Sequence, residues 1–246
     1  MPQVLVTFVV WGVTTRRVPA ALVRMAADRR HLHGVPGLRF AKLLGTGSGR
    51  TFTPRDADLG HWGLLAVWDS DHAAEAFEAG PTHRRWERLA AERFSVRMRP
   101  LSSRGAWARQ RPFGDPTPRR VAGPVAAITR ARLRPAAARR FWRAVPPVSA
   151  DLRQTPGLLL ALGIGEAPIG LQGTFSLWDG ADALIEFAHR RRAHADVARR
   201  TPAEGWYAEE LFARLEVLAC RGTIAGRQPL VWPPVRPAGG LAPAPA

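Results

Sequence analysis

The chain repeats itself, and the repeat limits its fold more than any other feature. Pro36-Gly37-Leu38 is answered by Pro156-Gly157-Leu158, and Trp68-Asp69 by Trp178-Asp179. Phe77 lies nine residues after Trp68, and Phe187 nine after Trp178. Arg104-Gly105 is answered by Arg221-Gly222. Four landmarks in one order within 246 residues point to two copies of one unit. Between PGL and WD the first copy is ten residues longer, and the excess falls in a Gly-, Thr- and Pro-rich stretch at 45–60.

Each copy reads β-α-β-β-α-β. In the first, residues 3–13 are rich in Val, Phe and Trp and predict a buried strand. Residues 18–32 have helical spacing, and 37–47 predict a second strand. A third strand follows at 61–69, a helix weakened by Gly80 and Pro81 at 71–92, and a fourth strand at 93–98. Residues 99–120, rich in Arg, Pro, Gly and Ser, read as connection. The second copy predicts strands at 124–133, 156–165, 173–180 and 211–220, and helices at 135–145 and 183–200. The predicted fold class is therefore α+β, two fused ferredoxin-like repeats. They span 1–105 and 121–226, with a linker at 106–120 and a Pro/Ala-rich tail at 227–246 whose end is expected to be disordered. One such sheet carries helices on one face and leaves the other bare. Two copies pressing their bare faces together make a barrel-like core within one chain. Ligand space then falls between a sheet and its helices.

Charge and cysteine content narrow the function classes. The formal charge is +16, and with Lys42 the one lysine, the other 35 of 36 basic residues are Arg. That bias reads as an Arg-rich surface under codon pressure, and no nucleic-acid motif accompanies it, so no nucleic-acid partner is expected. A basic surface also favours anionic membrane surfaces. No run of eighteen apolar residues suggests a spanning helix. The N-terminus reads as a strand and lacks a signal-peptide pattern, and Cys220 has no second cysteine to pair with. These features fit a cytoplasmic protein.

Three stretches carry candidate chemistry. His194 lies seven residues after Phe187, two turns on along the same helical face. His83, six residues after Phe77, occupies nearly the matching place in the first copy, and His189 lies on another face. A helix histidine is more often a surface or satisfied residue than a ligand. No HExxH, paired CxxC or facial-triad spacing supports zinc or non-haem iron. The second stretch, 42–62, holds Gly45, Gly47 and Gly49 but ends in no Walker signature. It reads equally as a hairpin loop or as a lid over a cavity mouth. Lys42 beside it, the sole lysine, suggests a role that Arg cannot fill. The third, EGWYAEELF at 204–212, holds Trp206, the sole tyrosine Tyr207, and Glu209 and Glu210. A buried tyrosine hydroxyl wants a partner, which a carboxylate can provide. Glu209 and Glu210 are adjacent, point apart and form no catalytic pair.

These stretches carry a family resemblance. KLLGTGSGRTFTP (42–54), LLAVWD (64–69), GIGEAPIGLQGTFSLWD (163–179), and His194 followed by GWYAEELFAR (205–214) resemble the spheroidene monooxygenase family of carotenoid ketolases. The likeness runs from about residue 4 to 222. It implies oxygen-dependent insertion of a keto group into an acyclic carotenoid, beside a tertiary methoxy end. It also implies haem as the oxygen-activating group and an electron donor such as ferredoxin. The double repeat is similar to dimeric α/β-barrel haem proteins, in which a helix histidine often ligates iron. That resemblance puts His194 first as iron ligand, with His83 and His189 as alternatives. Arg190 and Arg191 become candidate partners of the haem propionates, and Lys42 and Tyr207 candidate catalytic residues. A polyene substrate would come from a membrane, which leaves room for peripheral docking at its inner face. Two other readings stay open: a haem- or hydrophobic-ligand-binding protein without turnover, and a cofactor-free monooxygenase of the same barrel type.

Overall fold

The computed structural model describes residues 4–48, 50, 56–134, 149–166, 173–190 and 207–234. The first repeat runs β1 (Leu5–Gly12), α1 (Val18–His31), β2 (Leu38–Gly47), β3 (Ala57–Trp68), α2 (Asp71–Glu78), α3 (Pro81–Leu89) and β4 (Glu92–Gly105). In the second, the described elements are β5 (Val125–Leu133), β6 (Leu158–Gly165), β7 (Gly173–Trp178), α4 (Ala181–Arg190) and β8 (Tyr207–Gly222). The strands close a barrel in the order β1-β3-β2-β6-β7-β5-β8-β4. Within each half the order is fourth, first, third, second, and every pair is antiparallel. This is the ferredoxin-like arrangement that the sequence predicts, used twice.

Two seams join the halves. The β4–β8 seam is long, from Phe94 opposite Gly222 to Gly105 opposite Leu211. The β2–β6 seam holds three pairs, Gly45–Gly165, Thr46–Ile164 and Gly47–Gly163. The pairing register repeats across the halves. Leu5 faces Trp68 as Val125 faces Trp178, and Val9 faces Leu64 as Thr129 faces Thr174. Even the bulge after Leu38 recurs after Leu158.

Side chains alternate across each strand, so each sheet has an inner and an outer face. The inner faces fill the barrel with Val6, Phe8, Val10, Phe94, Val96, Met98, Ile128, Phe175, Leu177, Leu215 and their neighbours. Two tight hairpins plug the barrel. Trp107 bridges Gln110 through left-handed Ala108 and Arg109, and Ile224 bridges Arg227 through left-handed Ala225 and Gly226. Trp107, Phe113 and Ile224 are all buried in the barrel core.

The structure corrects four of these element assignments. The helix expected at 71–92 is two helices. Ser70 caps the first, accepting from the Ala73 N–H at 3.2 Å, and Pro81 opens the second at a position where its missing N–H costs little. The fourth strand runs on to Gly105, because a bulge between Pro100 and Ser102 takes up the proline. The last strand starts at Tyr207, and the third reaches back to Ala57. Among the described residues no helix is long and apolar enough to cross a membrane.

Candidate functional site

The outer faces of the two repeats differ at matched positions. In the first, α1, α2 and α3 cover a layer filled by Leu5, Val9, Trp11, Leu43, Trp62, Leu64, Trp68, Phe77 and Trp86. Trp11 stacks on Trp86 with ring centres 5.2 Å apart. In the second repeat, Val9 opposite Leu64 becomes Thr129 opposite Thr174, and Thr7 opposite Ala66 becomes Ala127 opposite Ser176. Leu43 is answered by Gly163, and Trp11 by Ala131. Val125, Trp178, Leu184 and Phe187 pack one end of this face. Beyond them Ala127, Thr129, Ala161 and Thr174 stay partly exposed, where Thr7, Val9 and Leu64 are buried. The Trp178 indole N–H donates to Ser176 Oγ at 2.9 Å, which leaves the Ser176 proton to point elsewhere.

The expected site residues fall in several places. His194 and Arg191 lie outside the described residues. His189 and Arg190 end α4, and their side chains lie outside as well. His83 is 4% exposed, between Trp11 and Phe77, with Nε2 3.1 Å from Glu87. Burial pushes its pKa down, against the pull of Glu87. The ring also borders a cleft beside α2. Tyr207 starts β8 opposite Leu133, and its carbonyl accepts from Arg134 at 3.3 Å.

Lys42 belongs to a network that sequence reasoning missed. Its Nζ lies 2.8 Å from Glu166 Oε2, just past the end of β6. Glu166 Oε1 accepts from Trp107 Nε1 at 2.7 Å and from Arg130 at 2.9 Å. Arg130 also pairs with Glu209, which accepts the Ala108 and Arg109 N–H groups of the plug at 3.0 and 2.8 Å. Burial raises the Glu166 carboxyl, but hydrogen bonds from Lys42 and Trp107 and the charges of Lys42 and Arg130 hold it below the usual range. Burial raises Glu209 too, and the two plug N–H groups and Arg130 outweigh it. Two cations and two anions cancel there. Glu209 is thereby committed to the plug and to Arg130.

The opposite plug has its own carboxylate. Glu92 accepts from Ala225 N at 2.9 Å and from Gly226 N at 3.2 Å, as Glu209 does from the first plug. His61 lies between Asp58, 2.7 Å away, and Glu92, 2.9 Å away. A separate cleft of about 350 Å³ runs beside α2, lined by Glu75, Glu78, His83, Arg93, Arg97 and Arg221 among others. Charged walls of that kind do not suit an apolar chain.

No family model matches the chain. It is 35% identical to the spheroidene monooxygenase of Rhodobacter capsulatus over 222 residues, covering 88% of this chain and 90% of that one. The chain belongs to the spheroidene monooxygenase family. The enzyme of that name from Rubrivivax gelatinosus is 41% identical over 212 residues, covering 83% of this chain and 78% of that protein. Membership in the spheroidene monooxygenase family makes the chain an oxygenase enzyme. Two solved structures share its fold. A crystal structure of aldoxime dehydratase matches with a TM-score of 0.57 at 11% identity, covering 87% of this chain and 81% of that one. A second, in complex with butyraldoxime, matches with a TM-score of 0.56 at 13% identity, covering 87% and 79%.

Proposed function

We propose that this chain introduces a keto group into an acyclic carotenoid of the spheroidene type, with haem and substrate held against the outer face of the second repeat. One observation carries the reading. Where the first repeat packs Val9, Trp11, Leu43 and Leu64, the second has Thr129, Ala131, Gly163 and Thr174. A flat macrocycle and a polyene need a slot with a low floor and few polar groups. The small residues of this face would leave haem the room that the large side chains of the first-repeat layer take up. His194 would ligate the iron, with Arg190 and Arg191 as partners of the propionates. Bound haem supplies the activation of oxygen.

The chain's own part is to bind, orient and keep water out. Ala127, Ala131 and Gly163 lie under the apolar chain. Thr129, Thr174 and Ser176 offer hydroxyls to the methoxy end or to the oxygen being installed. Two hydroxylations at one methylene give a geminal diol, which loses water to leave the ketone. Each hydroxylation takes one O2, two electrons and two protons and releases one water, the electrons coming from a donor such as ferredoxin. Lys42 holds Glu166 where β6 leaves the floor, and Tyr207 stands at the start of β8. Both are positioning candidates.

The test is an absorption spectrum of protein purified with ample haem supply, wild type beside His194→Ala. A Soret band that shifts or disappears in the variant supports the site and the ligand. Wild type without haem uptake sinks the haem reading and leaves a cofactor-free oxygenase.

A further inference from the structure

The outward face of α1 has an unusual composition. Its inward face is ordinary: Ala21, Met25 and Asp28 are buried. On the outward face Leu22 is 37% and Val23 64% exposed, beside exposed Pro19, Ala20 and Ala26. Arg16 and Arg17 precede this apolar patch, and Arg29 and Arg30 follow it. The neighbouring α3, which packs on α1, adds exposed Arg84 and Arg88. A solvent-facing helix usually places its charges at mid-face. Here the middle is apolar and the charges stand at the rim.

No carboxylate on these two helices offsets the arginines. Asp28 is fully buried and paired with Arg24, Arg85 and His31. Glu87 is taken by Trp11, His83 and Arg93. Elsewhere acids and bases meet: α2 sets Asp71, Glu75 and Glu78 against Arg97, and α4 carries Asp182 and Glu186. Among the described helices, this face combines a basic excess with an apolar centre.

We propose that the outward face of α1 docks the enzyme on an anionic bilayer, Leu22 and Val23 entering the headgroup boundary and the arginine rim lying on lipid phosphates. Stable docking by a surface helix takes apolar insertion together with charge attraction, and both are here. A nucleic acid would use the arginines and gain nothing from Val23. The role rests on the carotenoid reading, since a polyene substrate must be drawn from a membrane, but the binding itself does not.

The experiment is flotation of the full chain with vesicles of phosphatidylcholine, with or without phosphatidylglycerol, and with no carotenoid present. Wild type, Leu22→Ser/Val23→Ser and Arg16→Gln/Arg17→Gln/Arg30→Gln are compared. Wild type is expected to float with the anionic vesicles, each lost arginine to weaken partitioning about fivefold, and the serine pair to weaken it roughly fivefold or more at unchanged charge. Wild type that floats with neither vesicle overturns the proposal. So does a serine variant that floats like wild type, which would mark a general polyanion surface. Because the assay needs neither haem nor substrate, its failure leaves the oxygenase reading standing. Conversely, the serine variant is expected to match wild type on detergent-solubilised substrate and to fall behind only on substrate embedded in vesicles.

Discussion

Arg130 shows what a single side chain does in this barrel. It is 5% exposed and holds Glu166 and Glu209 together beneath Trp107. Arg130→Met keeps the bulk and leaves Glu209 without its buried cation, so a loss of about 3 kcal/mol in urea unfolding is expected. His61 sets a pH dependence. Its hydrogen bond to Asp58, helped by Glu92, raises its pKa against the effect of burial. Its contribution is fully present below the unfolded value near 6.5 and fades as pH rises through the raised folded value. Asp58 is lowered by His61; burial raises Glu92, and His61, the Gly226 N–H and the Thr223 hydroxyl bring it below its usual value. Their part is present above about pH 4 and fades as pH falls through the depressed values. The His61–Asp58–Glu92 cluster should therefore contribute most in the mildly acidic window between, and His61→Gln should remove its share of the fall on the alkaline side in pH-dependent denaturation. Lys42 was legible in the sequence as a residue of note by its uniqueness. Its partners were not, because Glu166, Arg130 and Trp107 are far apart in the chain and meet only once the barrel closes.

At the scale of elements, the plugs depend on how each fourth strand ends. Gly105 and Gly222 both have positive φ, 86° and 89°, and a Cβ there would lie 2.1 Å from Glu210 O or 2.0 Å from Arg93 O. Gly222→Ala is expected to cost roughly 2 kcal/mol or more, since backbone of the partner strand must move, and a lowered melting temperature would register it. The letters Arg-Gly marked the repeat in both copies without showing that strands end there. Strands were legible from alternation and aromatic content, and their limits were not. Pro100 reads as a stop until a bulge absorbs it, and Gly80-Pro81 reads as a weak point when it is a full break. The connection after Gly105 looked like linker because Arg and Pro dominate it, yet Trp107 and Phe113 within it are core residues.

Across the whole molecule, the duplication is visible in the sequence, and the barrel follows from it. The functional difference between the halves needed the register. Aligned on Trp-Asp, LLAV at 64–67 stands against TFSL at 174–177, which already hints at Leu64 against Thr174. The meaning comes from knowing that both point outward, away from the barrel core, Leu64 under the first-repeat helices and Thr174 partly exposed. Installing the first-repeat residues, as Thr129→Val with Thr174→Leu, removes two hydroxyls and fills the floor. The folded state should be kept within about 1 kcal/mol, while haem uptake, followed by the Soret band, should fall at least tenfold.

The two seams have unequal strength. A closed ring of strands gives way first where its ladder is shortest, and here that is the three-pair junction of β2 with β6. The Lys42–Glu166 contact acts as a latch across the same gap, tying strands of different repeats. The barrel thus resembles a bracelet with one welded joint at β4–β8 and one clasp. The clasp sits beside the strand whose Gly163 forms part of the proposed floor. Any breathing of the ring is expected to start at this clasp, next to the proposed floor.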